Sequence, residues 1–136
     1  MSDSTNSKEL KRGPCKHEGC VNEAYTRWHN GWKKWIYSSE CKTCTANLKK
    51  YGIHTGQRNQ MMEEQDGMCQ ICNSPVKFSQ GLGLSSTDAT VDHCHATGKV
   101  RGILCGSCNN MLGRARDSIQ ILKNSIEYLR KHGQTD

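Results

Sequence analysis

Long apolar runs are absent from this chain, and none approaches the roughly 20 residues that a helix needs to cross a bilayer. One Phe, two Pro and 34% hydrophobic residues among 136 leave little from which to build a large core. A chain of this length holds one small domain or two very small ones, and each needs a stabiliser besides apolar burial. The opening residues, Met1 to Ser7, lack the apolar stretch of a secretory leader. A secreted protein held by disulfides is therefore disfavoured, and a protein of a reducing compartment with no membrane partner is expected.

What the chain has in quantity is cysteine, nine in all. Eight fall into the pairs Cys15/Cys20, Cys41/Cys44, Cys69/Cys72 and Cys105/Cys108, and Cys94 is left over. Three of the pairs are C-x-x-C, a spacing that lets two thiolates of one turn reach a single tetrahedral ion. Two structural zinc sites are expected, one from the first four cysteines and one from the last four. His17 could replace a thiolate, but four cysteines suffice. The formal charge of +6 shrinks accordingly, because each zinc held by four thiolates carries a local charge of −2. Distribution matters more than the total. Residues 1–60 hold eleven Lys/Arg against five Asp/Glu, whereas residues 61–136 hold eight of each. The basic half is the better grip for an anionic polymer.

Residues 1–13 read as a disordered leader. Residues 14–52 read as a basic, zinc-ribbon-like unit: Tyr25, Trp28, Trp32, Trp35 and Tyr37 are strand formers, and Asn30-Gly31 supplies a hairpin turn between them. The tryptophans are expected to cover the small core, with stacking on bases beside Arg27, Lys33 and Lys34 as the alternative. A helix from Thr45 to Tyr51 should stop at Gly52, and another should run from Thr55 to Gln65, with Met61 and Met62 inward. Lys49, Lys50 and Arg58 extend the basic surface. Residues 73–89 form a loop whose length has no explanation in the sequence. Strands are expected either side of the His95–Lys99 turn, then a helix from the Cys105/Cys108 pair. A last helix, with Asp117 as its N-cap, presents Ile119, Leu122, Ile126 and Leu129 on one face, expected to close the core rather than to pair with a second copy.

The chemistry gathers at Asp92-His93-Cys94-His95 and at Asn109. Four sulfurs from Cys69, Cys72, Cys105 and Cys108 leave no open position on zinc, so that ion can brace but cannot activate water. Asp92 and Asn109 offer hard oxygens suited to Mg²⁺ or Mn²⁺. His93 alternates to the other face of a regular strand, where it is free to act as a general base. One hard cation and one free imidazole point to phosphodiester hydrolysis. A third zinc site from His93, Cys94 and His95, or plain polar surface beside a zinc ribbon, remains the alternative.

Tyr51-Gly52, then Met62, Gln65 and Gly67 ahead of Cys69/Cys72, then Val91 to His95 with Thr97 to Gly102, then Cys105/Cys108-Asn109 with Leu112-Gly113, together resemble the phage recombination endonuclease VII family of the His-Me finger (HNH, ββα-metal) nucleases. The resemblance spans about Tyr51 to Leu129. It implies a small α+β, zinc-stabilised ββα-metal nuclease domain over 53–136. It further implies Asp92 and Asn109 as ligands of a catalytic Mg²⁺, His93 as the base, and His95 positioning the scissile phosphate to leave 5′-phosphate and 3′-hydroxyl ends. Duplex or branched DNA would be the partner, held also by Lys99 and Arg101, and the protein would act as a homodimer in the host cytoplasm. A site-specific or nicking HNH endonuclease and a non-catalytic zinc-ribbon DNA binder are the competing functions.

Overall fold

A computed structural model describes residues 12–79 and 85–136. The expected leader, apart from Arg12 and Gly13, lies outside the described residues, as do Gln80 to Leu84 of the long loop. The elements are β1 (Thr26–His29), β2 (Lys34–Tyr37), α1 (Lys42–Tyr51), α2 (Thr55–Glu64), β3 (Ala89–His93), β4 (Val100–Cys105), α3 (Gly106–Arg114) and α4 (Ile119–Lys131). They group into two compact units, Met1–Gln60 and Met61–Asp136. Among the described residues no helix is long and apolar enough to cross a membrane.

In the first unit β1 and β2 pair antiparallel, with Thr26 opposite Tyr37 and Trp28 opposite Trp35. The connection is wider than the expected Asn-Gly turn. Residues 30–33 all belong to it, and the left-handed residue is Lys33 (φ 49°) rather than a glycine. Its geometry follows from His29, whose Nδ1 accepts the Trp32 backbone N–H at 3.1 Å while the two rings stack with centroids 4.3 Å apart. Helix α1 starts three residues earlier than expected because Cys41 caps it, its Sγ accepting the Cys44 N–H at 3.2 Å. It stops at Gly52, which is left-handed and donates to Leu48 O at 3.0 Å. Helix α2 opens with a reciprocal cap: His54 N–H reaches Gln57 Oε1 at 3.0 Å and Gln57 N–H reaches His54 Nδ1 at 3.4 Å. A Cβ at Gly56 would collide with the Glu18 carbonyl, so only glycine lets this first turn lie against the Cys15–Cys20 loop.

The tryptophans do not cover this unit's core. Among the described residues its buried ones are Cys15, Ala24, Cys41, Cys44, Thr55 and Gly56, whereas Trp28, Trp32 and Trp35 are exposed. Four thiols already fill the space that so few residues can enclose, and the hairpin extends past them. Arg58, expected on the basic surface, is instead half-buried, and burial lowers its pKa, with the first-cluster thiols only partly opposing the shift.

In the second unit β3 and β4 form an antiparallel pair followed directly by α3, a ββα arrangement within a small α+β fold. Val76, Ala89, Val91, Ile103, Leu104 and Ala115 are buried in this unit, as are Cys69, Cys105 and Cys108. The side-chain amide of Gln65 closes the free edge of β4, donating to Ile103 O and accepting from Ile103 N–H, both at 2.8 Å. The end of the long loop also finds a purpose. Asp88 accepts the Ser85 N–H at 2.7 Å through its side chain and the Gly106 N–H at 3.0 Å through its carbonyl, so this turn occupies the otherwise unpaired N-terminus of α3.

Two expectations about α4 fail. Its N-cap is Ser118, whose Oγ accepts the Ile121 N–H at 3.2 Å, and Asp117 is used elsewhere. No side chain of α4 is buried, so its apolar stripe does not close the core; Ile119, Ile126 and Leu129 face solvent. The β3–β4 sheet and the thiols already complete a core this small.

Candidate active site and metal centres

Each group of four cysteines converges. The sulfurs of Cys15, Cys20, Cys41 and Cys44 lie within 4.8 Å of one another, and so do those of Cys69, Cys72, Cys105 and Cys108. Four sulfurs bound at about 2.3 Å to one tetrahedral ion stand roughly 3.8 Å apart. The Cys20–Cys41 and Cys72–Cys105 separations of 3.7 and 3.8 Å match that spacing. All nine cysteines are free thiols, so the geometry is that of ligand sets rather than disulfides. Backbone N–H groups aim at the sulfurs: Cys41 donates to Cys15 at 3.3 Å, Thr55 to Cys44 at 3.4 Å and Cys108 to Cys105 at 3.4 Å. Such donors favour the thiolate form that a metal takes. His17 stands outside the first set, stacked on His54 with its Nε2 at 3.5 Å from Glu40.

The second cluster anchors both ends of the ββα unit. Cys105 ends β4 and caps α3, its Sγ accepting the Cys108 N–H, and this fixes Asn109 in the first turn of a helix that packs on β3 and β4. Asp92 and His93 end β3 in different environments, Asp92 buried to 5% exposure and His93 half-buried. Strict alternation breaks at this point. The register shifts between Asp92 and His93, which pair with Gly102 and Val100, leaving Arg101 as the extra residue of a β-bulge. Bulges re-aim side chains, and this one brings Arg101 back to the strand it skipped.

Arg101 therefore does not stand free to hold phosphate, as the sequence led us to expect. Its Nε–H donates to Asp92 Oδ2 at 2.6 Å, and its second nitrogen donates to Asp92 Oδ1 at 2.8 Å and to Asp117 Oδ1 at 3.0 Å. Asp92, then Asp117, raise its pKa further. A cation thus already sits at the buried Asp92 carboxylate, and hard oxygens from Asp92 and Asn109 suit Mg²⁺ by their chemistry. Asp117 also meets His95 Nδ1 at 2.9 Å, and the His93 and His95 rings lie 5.3 Å apart. His95 and then Arg101 hold the Asp117 carboxyl down at about 2. Asp117 escaped the sequence reading because it stands where a helix cap belongs. The neighbouring Ser118, an equally good cap, was the one signal that Asp117 could serve another purpose.

Among the other expected DNA contacts, Lys34 Nζ lies 5.3 Å from the Trp32 ring centroid and Lys50 Nζ 4.9 Å from that of Tyr51. Arg27, Lys33, Lys49 and Lys99 are exposed.

The family profile described as recombination endonuclease VII matches residues 44–131. The Gene 59 protein of Mycobacterium phage D29 is 42% identical over 88 residues, 64% of this chain and 49% of that protein. The Gene 59 protein of Mycobacterium phage L5 is 43% identical over 86 residues, 62% and 48% of the two chains. The chain spans about half the length of these curated relatives. A solved structure of the beta-beta-alpha-Me type II restriction endonuclease Hpy99I aligns over 89% of this chain and 66% of that one, with 24% identity and a TM-score of 0.40.

Proposed function

The chain belongs to the recombination endonuclease VII family, and from that premise we propose that it is a Mg²⁺-dependent DNA endonuclease of the junction-resolving type, acting in the cytoplasm of a phage-infected cell. What carries the reading is one juxtaposition inside the matched span. A buried carboxylate, Asp92, and a half-buried imidazole, His93, end the same strand, and α3 carrying Asn109 packs against it.

Asp92 and Asn109 would hold the Mg²⁺, which would supply positive charge beside the phosphate being cleaved. His93 takes the proton from the attacking water. His95, fixed by Asp117, orients the scissile phosphate. Arg101 has Asp117 as a second anchor when Asp92 takes up a cation. The two cysteine groups hold zinc with no open position and act as braces. Basic side chains at Arg27, Lys33, Lys34, Lys49, Lys50 and Lys99 contact phosphates, and the exposed stripe of α4 pairs two copies.

The test is cleavage with Mg²⁺ of a four-way junction, a linear duplex of the same sequence and a single strand, by parent and His93→Ala. The junction should be cut fastest. The variant should lose about 10²–10⁴-fold in rate, as removal of a general base does, with zinc content and DNA affinity unchanged. An undiminished rate would remove the assignment.

A further inference from the structure

We propose that the β1–β2 hairpin is a docking surface for unpaired DNA, so that the first unit recognises single-stranded segments of the substrate. The substrate being DNA rests on the endonuclease reading; the surface itself rests on the following observations.

Pairing across the hairpin puts Thr26, Trp28, Trp35 and Tyr37 on one face, since directly opposed residues and alternate residues share a side. Trp28 and Trp35 are each 46% exposed and Tyr37 59%. The two tryptophans meet edge to face with centroids 5.6 Å apart, an arrangement that leaves ring planes open to a third ring. At the tip, Trp32 is 66% exposed and stacks on His29, with Lys34 beside its ring. Trp32's partners His29 and Lys34 belong to the reverse face, so exposed rings lie on both sides of one small ribbon, and exposed aromatic surface in that amount marks a surface that something covers.

Charge selects what covers it. From residue 24 to residue 39 the chain has Arg27, Lys33 and Lys34 and no acidic residue. A second copy laid on this ribbon would bring like charges together, whereas a nucleic acid supplies phosphates for the cations and bases for the rings. Duplex DNA hides its base planes, and its phosphates need cations alone. Unpaired nucleotides use both features, and stacking on them is worth about 1–3 kcal/mol per base. The ribbon is two strands wide, so the long side chains of Arg27 and Lys34, on its reverse face, can reach round its edges to a backbone lying on the aromatic side.

The chain's three tryptophans all lie in this hairpin, so their fluorescence reports on it directly. Full-length His93→Ala is titrated, without added Mg²⁺, with oligothymidylate and with a duplex of equal length. Oligothymidylate should quench the tryptophans and the duplex should not. In the same background Trp32→Ala, a change at an exposed tip whose fold is checked by zinc content, should weaken single-strand affinity at least about 5-fold, the low end for one stacked base, and leave duplex affinity unchanged. Trp28→Ala with Trp35→Ala, checked by zinc content, should weaken it further. Unchanged fluorescence at saturating oligothymidylate, or equal single-strand affinity in the variants, overturns the proposal. Cleavage by the parent is scored separately with Mg²⁺: cutting without quenching removes only this inference, and quenching without cutting removes only the endonuclease reading.

Discussion

Asp117 sits at the second of two consecutive left-handed non-glycine residues, Arg116 at φ 54° and Asp117 at φ 55°. Such conformations cost energy, and what this one achieves is a carboxylate facing His95 and Arg101 at once. With a folded pKa near 2 against an ordinary 3.8, its pairing is fully present above about pH 4 and fades only as pH falls through 2. The charge is therefore in place at any working pH, and removing it needs a substitution. Asp117→Asn should lower the cleavage rate at saturating DNA by about 10-fold or more, the usual loss when a supporting partner is removed, with zinc content and DNA affinity preserved. A rate within about two-fold of the parent would reduce Asp117 to a loop residue. At this scale the sequence was legible where chemistry is local. Asp92, His93 and Asn109 stand out by type and spacing, but the partners of Arg101 depend on a bulge and two unusual backbone angles that no local pattern announces.

Each cysteine group joins elements that have little else to hold them. The first ties the Cys15–Cys20 loop to the start of α1, and the second ties the Cys69–Cys72 turn to the junction of β4 and α3. Four crowded thiols cannot all ionise without a cation; in the second group Ser74 depresses Cys72 to about 6 while burial pushes Cys108 up. Metal analysis should find two zinc ions per chain. Their removal with a strong chelator should abolish the cooperative thermal transition, because binding energy at such sites is folding energy. A metal-free chain that still melts cooperatively would show that the thiols are ordinary core. Helix stops were largely readable here, because caps such as Gly52 act over one turn. The four-residue loop at 30–33 was not, since it is set by the His29 ring.

At the scale of the whole molecule, the exposed stripe of α4 departs from a closed core. Ile121 and Leu122 line an open groove with Met111 of α3, and Ile119, Ile126 and Leu129 continue the apolar surface. Sedimentation equilibrium should show a dimer at micromolar concentration, and Ile126→Asp with Leu129→Asp should return a monomer without loss of zinc. A parent that stays monomeric with and without DNA would remove pairing from the proposal.

The sequence alone determined that eight cysteines form two groups of four, that a ββα unit follows the Cys69/Cys72 pair, and that Asp92 and His93 belong to its first strand and Asn109 to its helix. Ligand spacing and strand–turn–strand patterning act over a few residues, so they survive in a linear reading. Only the tertiary structure decided that the tryptophans and the last helix face outward and that Arg101 is bound to two carboxylates. Burial is a competition among all apolar groups for one small interior. Here the thiols and the β3–β4 sheet filled it first, and no local pattern states who loses.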